Sequence, residues 1–226
     1  MSFLVYQTLP RDYLIPMRII VTAGPTRQYI DAVRFITNAS SGRMGCAVAA
    51  AAVKAGHDVT LLCSGVTSVI PAGCSEVVRF DTVADLQQAL GERFEACDAL
   101  VMAAAVGDFH IDEPFAGKLH RSDGPVTLRL SPTQDILAGL ANRKRDGQAI
   151  IAFAVEQGTP EQIEAAAGDK LRAKNADYVV VNTPAALAAE TSRACILSAD
   201  GVVLAWADRP KEQLAEKIVG LLRQGG

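Results

Sequence analysis

The sequence predicts an α/β fold, a Rossmann-like and mostly parallel sheet with flanking helices, plus a flap or hairpin excursion. Three observations carry that reading. Short β-branched runs alternate with alanine-rich helical stretches along the chain. Some runs are apolar at almost every position, DALVMAAAV (98–106) above all, as a strand covered on both faces requires. The first run leads, after an interval, into a serine–glycine turn that opens a helix, an arrangement suited to binding anions.

The elements follow in order. RIIVTA (18–23) reads as a buried first strand, and GCAVAAAAVKAG (45–56) as a helix closed by Gly56. DVTLLC (58–63) and SEVVRF (75–80) are the second and third strands. TVADLQQALGERFEAC (82–97) is an amphipathic helix with Thr82 as its N-cap. DALVMAAAV is the fourth strand, and the strand–helix–strand spacing implies parallel pairing. Residues 107–135 break the rhythm. They are polar and turn-rich, a flap region, within which VTLRL (126–130) alternates and is expected to form an exposed, antiparallel strand. Order resumes with a helix over 136–143, a strand at 149–155, a helix over 160–174 and a strand at 177–182. ADG sits between apolar runs in 194–207, a hairpin signal, and 209–223 is a closing amphipathic helix. The reading is one domain over 1–226, with a core of 17–226 and an arm at 1–16.

Composition narrows the function. The 226 residues are 50% hydrophobic and 21% charged, with a formal net charge of −3, so a broad nucleic-acid surface is not expected. Five cysteines are scattered with no CxxC pair, which suits free thiols in a reducing, cytoplasmic setting. No secretory leader opens the chain and no apolar run approaches the roughly 18 residues of a membrane span, so no membrane partner is expected.

The chemistry gathers at strand ends. TNASSGRMG (37–45) puts helix N–H groups, the Ser40 and Ser41 hydroxyls, and the permissive Gly42 and Gly45 in one place. An ordinary helix cap is the plain alternative. A dinucleotide fingerprint wants GxGxxG directly after the first strand and an acid closing the second. Here Gly24 is followed by a long insertion, and the second strand ends LLCSG, with no Asp or Glu. The expected ligand is therefore a nucleotide whose phosphates rest on this helix start. AAAVGDF (103–109) places small residues and Asp108 where the fourth strand surfaces. Lys118 in the excursion reads equally as a solvated lysine, and Asn182, closing VVVN, as a strand cap.

Taken together, TAGPTR, DAVRFITNASSGRMG, AAAVGDF, a lysine before VTLRL and PTQDIL, AFAVEQ, and KLRAKNADYVVVN resemble phosphopantothenoylcysteine synthetase, the ligase half of the bacterial bifunctional coenzyme A protein. The order of six segments from Arg18 onward makes the resemblance specific. It implies a ligase that joins 4′-phosphopantothenate to L-cysteine through an acyl-nucleotide formed from CTP or ATP, with Mg²⁺, acting as a homodimer. It further implies roles. Asn38 would contact the pantothenate part and serve the second half-reaction, and Lys118 would be the flap lysine needed for activation. Arg34 would reach the partner's substrate phosphate, while Ala104, Ala105 and Asp108 contact pantothenate. Gly24, Ser40, Ser41, Gly42 and Gly45 would form the triphosphate turn, with Phe153 and Asn182 near base and ribose. No residue is assigned as a metal ligand. His120 in KLHR and the SPTQDIL segment depart from the family pattern and leave CTP and ATP both open. The flavin-dependent decarboxylase half is absent, so a free-standing or excised synthetase is expected. Two other classes stand beside this one: a short-chain NAD(P) oxidoreductase, which lacks its Tyr-x-x-x-Lys pair here, and a non-catalytic nucleotide-binding module.

Overall fold

A period-two split of apolar residues decides the architecture. In β1 (Arg18–Ala23), Ile19 and Val21 point to one face and Ile20 to the other, and all three are buried. The sheet must therefore be covered twice. The computed structural model describes residues 15–67, 69–186 and 189–222; the proposed arm at 1–16 lies almost wholly outside them. In chain order β1 is followed by β2 (Arg27–Tyr29), β3 (Phe35–Thr37), α1 (Arg43–Lys54), β4 (Asp58–Ser64), β5 (Glu76–Phe80) and α2 (Val83–Arg93). Then come β6 (Ala99–Met102), β7 (Phe109–Ile111), β8 (Leu130–Pro132), α3 (Ile136–Ala141), β9 (Ala149–Val155) and α4 (Pro160–Ala173). The chain closes with β10 (Tyr178–Asn182), β11 (Thr191–Ser198), β12 (Gly201–Pro210) and α5 (Lys211–Leu221).

Eight strands form one sheet in the order β12-β11-β10-β9-β6-β1-β4-β5. The six from β10 to β5 are parallel; β11 runs antiparallel to β10, and β12 antiparallel to β11. Counting only the parallel strands in chain order, the arrangement is 3-2-1-4-5-6, the doubly wound Rossmann order. The order reverses between β1 and β6, whose registers run from Ile19 opposite Ala99 to Thr22 opposite Met102. Ligands of such sheets bind outside the carboxyl ends of the strands at that point.

One face of the sheet is covered by α1 and α5, with Val48, Ala52, Leu214 and Ile218 packed on Ile19, Val21 and Leu61. The other is covered by α2, α3 and α4, with Leu86, Leu90, Leu140 and Ile163 on Ile20, Leu62 and Leu100. Helix starts follow their caps. Thr82 and Asp85 form a capping box for α2, and Thr159 and Gln162 another for α4. α1 differs: it begins at Gly42, in left-handed geometry, with no side-chain cap. Among the described residues no helix is long and apolar enough to cross a membrane.

Two sequence expectations are corrected. The fourth strand ends at Met102, not Val106, because Ala104 and Ala105 turn to donate to Thr22 Oγ1 and the Gly24 carbonyl. VTLRL is not a strand; only Leu130 pairs, within the short β7–β8 ladder. Its alternating residues have no core to face, since all of 126–130 are exposed or half-buried. The interval between Gly24 and Gly42 holds the β2–β3 hairpin, which the sequence did not announce.

Candidate active site

A cleft of about 480 Å³ opens at the reversal point. Its floor is the Met102–Val106 run with the ends of β9 and β10, and its near wall is the turn Asn38–Gly45. The far wall is the Thr133–Leu137 segment entering α3, and Lys170 and Lys174 at the end of α4 and Lys211 at the start of α5 complete the lining. Hydrogen bonds fix the floor against β1. Ala104 N–H donates to Thr22 Oγ1 (2.9 Å), Ala105 N–H to the Gly24 carbonyl (3.0 Å) and Gly107 N–H to Thr26 Oγ1 (2.9 Å).

Asn38 joins wall and floor. Its side-chain amide donates to the carbonyls of Ala105 and Val106, both at 3.1 Å. Two carbonyl partners require the nitrogen on that side, so Oδ1 is left as the acceptor facing outward. Ser40 and Ser41 bracket the turn. Ser40 Oγ accepts weakly from Gly42 N–H (3.4 Å), while Ser41 Oγ is buried with no partner. At the other end of the cleft Asn182 is 8% exposed, and its Oδ1 is likewise buried and unpartnered. An unmet buried polar atom costs roughly 1–3 kcal/mol, so the Asn182 end of the cleft holds a group that gains from a ligand.

The three glycines divide by task. At Gly45 a Cβ would come within 2.5 Å of the Thr22 carbonyl and 2.6 Å of Ala23 Cβ, so its absence lets α1 press onto β1. Gly24 and Gly42 have positive φ, and a Cβ on either would strike Thr67 Oγ1, at 2.7 and 2.6 Å. On Gly24 it would also strike Ser64 Oγ at 2.1 Å. The loop after β4 thus seats Ser64 and Thr67, each 2% exposed, over these glycines. Arg79 pins that loop by donating to the carbonyls of Ser64 (2.8 Å) and Thr67 (3.1 Å). A dinucleotide fold uses this place for an acid that holds ribose; here hydroxyls fill it.

Charge is concentrated on the open side. Arg43, Lys170, Lys174 and Lys211 line the cleft, against the carboxylates of Asp108 and Asp135. Lys170 pairs with Glu156, and Lys174 with Asp135 at 3.2 Å. Burial alone would raise the Asp135 carboxyl, but N–H donation from Ala138 and Leu137, together with Lys174, holds it below the usual range. It is therefore an anion that caps α3.

Nine of the residues expected from sequence line the cleft: Asn38, Ser40, Gly42, Gly45, Ala104, Ala105, Asp108, Phe153 and Asn182. Gly24 and Ser41 lie behind it. Arg34 and Lys118 stand elsewhere. They line a separate groove with Leu119, His120 and Arg121. Arg34 is held there by an ion pair to Asp31 and by donation to the Leu119 carbonyl (2.9 Å). Sequence reasoning missed Arg43, Lys170, Lys174, Lys211 and Asp135. The lysine pair was legible as an i,i+4 face in KLRAK, and Asp135 as a cap before ILAGLA, but nothing in the sequence said which face meets the cleft.

Comparison with known proteins agrees with this fold. Residues 14–224 match the family model described as "DNA/pantothenate metabolism flavoprotein C-terminal domain". The coenzyme A biosynthesis bifunctional protein CoaBC of Bacillus subtilis is 39% identical over 187 residues, 81% of this chain and 45% of the relative. A cysteine/cysteine sulfinic acid decarboxylase of an unknown prokaryotic organism is 35% identical, covering 96% of this chain and 61% of its own. The chain therefore spans about half the length of the curated relatives it matches. Among solved structures, the C-terminal domain of CoaBC superposes with a TM-score of 0.74 at 31% identity, over 92% of this chain and 94% of that one. A strand order, a site and a matching stretch that run nearly end to end lead to one conclusion: the chain belongs to the family of DNA/pantothenate metabolism flavoprotein C-terminal domains.

Proposed function

We propose that the protein is the phosphopantothenate–cysteine ligase of coenzyme A biosynthesis. It joins 4′-phosphopantothenate to L-cysteine through an acyl-nucleotide formed from CTP or ATP. The observation that carries this reading is the start of α1. It has no side-chain cap and no acidic residue in its first turn, and it opens into a cleft with four basic side chains.

The chemistry suits those residues. A substrate carboxylate oxygen attacks the α-phosphorus, the bond to pyrophosphate breaks, and pyrophosphate leaves. The cysteine amine then attacks the acyl carbon, loses a proton, and the nucleotide monophosphate departs. Both steps crowd negative charge, which fixed N–H donors and cations offset without reorganisation. In this reading Asn38 Oδ1, the free acceptor of that side chain, accepts from the incoming amine. Asn182 Oδ1 and Phe153 take the nucleoside end. Among the described residues no cluster of three His, Cys, Asp or Glu could hold a resident metal. Mg²⁺ typically takes one or two carboxylates plus phosphate oxygens, and Asp108, a cleft carboxylate that among the described residues has no ion pair or helix to cap, fits that donor set. The ion would arrive with the triphosphate and supply charge neutralisation there.

Lys118 and Arg34 lie outside the cleft of their own chain. They serve the cleft of a second copy in a homodimer. The exposed Phe35, Ile36, Phe109 and Phe115 around them offer the apolar surface such contact needs.

The test is pyrophosphate release on incubation with phosphopantothenate, cysteine, Mg²⁺ and CTP or ATP. Release that requires phosphopantothenate is expected, with loss of release in Lys118→Gln. NADPH turnover, or carbon dioxide from cysteine without nucleotide, in place of pyrophosphate would overturn the reading.

A further inference from the structure

Lysines are almost never fully buried unless paired with an anion. Lys211 is 4% exposed and lines the cleft, yet among the described residues it forms no salt bridge. Its Nζ donates to the Ala186 carbonyl at 2.9 Å. An ammonium has three donors, so two remain. Its position compounds the problem. Lys211 is the first residue of α5, at the positive end of that helix. Arg43, the first residue of α1, lines the same cleft, and α1 packs against α5. Burial first, then the Arg43 charge, push the Lys211 ammonium down from its ordinary value, with Glu212 opposing.

Among the described residues no carboxylate pairs with it, and Glu212, the next residue in the chain, only opposes the shift. Of the other cleft cations, Lys170 is matched by Glu156 and Lys174 by Asp135. Arg43 is exposed and, among the described residues, has neither an ion pair nor a hydrogen bond. Two unmatched cations thus face one cleft beside the uncapped start of α1. For the buried Lys211 that is a desolvation cost which one carbonyl contact offsets only in part. An anion with more than one charge repays it at a stroke.

We propose that Lys211 and Arg43 together grip the polyphosphate end of the nucleotide, the part released as pyrophosphate, at the head of α1. The inference rests on the triphosphate reading of the cleft and adds the residues that separate a triphosphate from a monophosphate. Phosphopantothenate also carries a phosphate, so the source of the anion has to be distinguished.

The experiment is calorimetric titration of the full chain and of Lys211→Met and Arg43→Gln. The ligands are CTP and ATP with Mg²⁺, the corresponding monophosphates, and 4′-phosphopantothenate. Losing a charge-assisted contact should weaken triphosphate binding about 10-fold or more in each variant, with monophosphate and phosphopantothenate affinities changed by less than about twofold. Lys211→Arg, which keeps the charge, should recover most of the loss. If Lys211→Met fails to fold, Arg43→Gln, at an exposed site, carries the test with Lys211→Arg. Unchanged triphosphate affinity in folded variants overturns the proposal while sparing the ligase reading. So does weakening confined to phosphopantothenate, or equal weakening of mono- and triphosphate, which marks a structural role. A wild-type chain that binds no triphosphate sinks both.

Discussion

The two sides of the reversal point are built from the same parts and treated oppositely. On the β4–β5 side, the loop after β4 folds inward, Ser64 and Thr67 cover Gly24 and Gly42, and Arg79 locks the loop in place. On the β6–β9–β10 side, the strand ends are small or polar, the buried Asn182 Oδ1 lacks a partner, and four cations look in. A dinucleotide fold uses both sides, one for each nucleotide. Here one is filled. In the function proposed above, the turn holds the phosphates and the nucleoside extends over β9 and β10. Absence of an acid at the end of β4 is then the visible trace of a closed half-site, and the oxidoreductase reading loses its second nucleotide pocket.

The largest effect comes from breaking the closed side. Gly24→Ala puts a methyl group at φ +90° and within 2.1 Å of Ser64 Oγ. Backbone strain of that kind costs about 1–3 kcal/mol, read as a lower midpoint in chemical denaturation. If that variant is as stable as the wild type, the loop does not cover the glycine in solution. A smaller effect sharpens the contrast between the cleft and the groove that holds Lys118. Asp31 is buried, which alone would raise its carboxyl, but N–H donors from Val33, Arg34 and Leu119 and the Arg34 charge bring it to about 2. A depressed carboxylate contributes stability that is present above its unfolded value, near 3.9, and fades as pH falls through its folded value. The link from the β2–β3 turn to Leu119 should therefore loosen between about pH 4 and pH 2, seen as faster exchange of the Leu119 amide once the intrinsic pH dependence is removed. Protection that stays flat across that window contradicts the role given to Asp31.

What the sequence disclosed follows from what its residues must satisfy alone. Strands buried on both faces announced themselves, because nothing else reads as IIVTA or YVVV between turn residues. Thr82 and Gly56 marked helix ends by local geometry, and both hold their places. The β2–β3 hairpin was silent because its turn is closed by the Asp31 side chain, which accepts from Val33 and Arg34 N–H, rather than by an Asn-Gly or Asp-Gly pair. VTLRL misled for the opposite reason: alternation predicts a strand only where a core lies beneath one face. At the site, the residues next to a strand end were legible, since the strand fixes where they emerge. Lys211 was not. It comes from the far end of the chain, and its burial depends on α5 packing beside α1.

The central claim is the direction in which the nucleotide lies, and a crystal structure of the chain with CTP or ATP and Mg²⁺ measures it directly. The account predicts phosphates at the head of α1, near Ser40 and Lys211, and a base and ribose beside Phe153 and Asn182. A nucleoside seated over Ser64 and Thr67, with the β9–β10 side vacant, would contradict it.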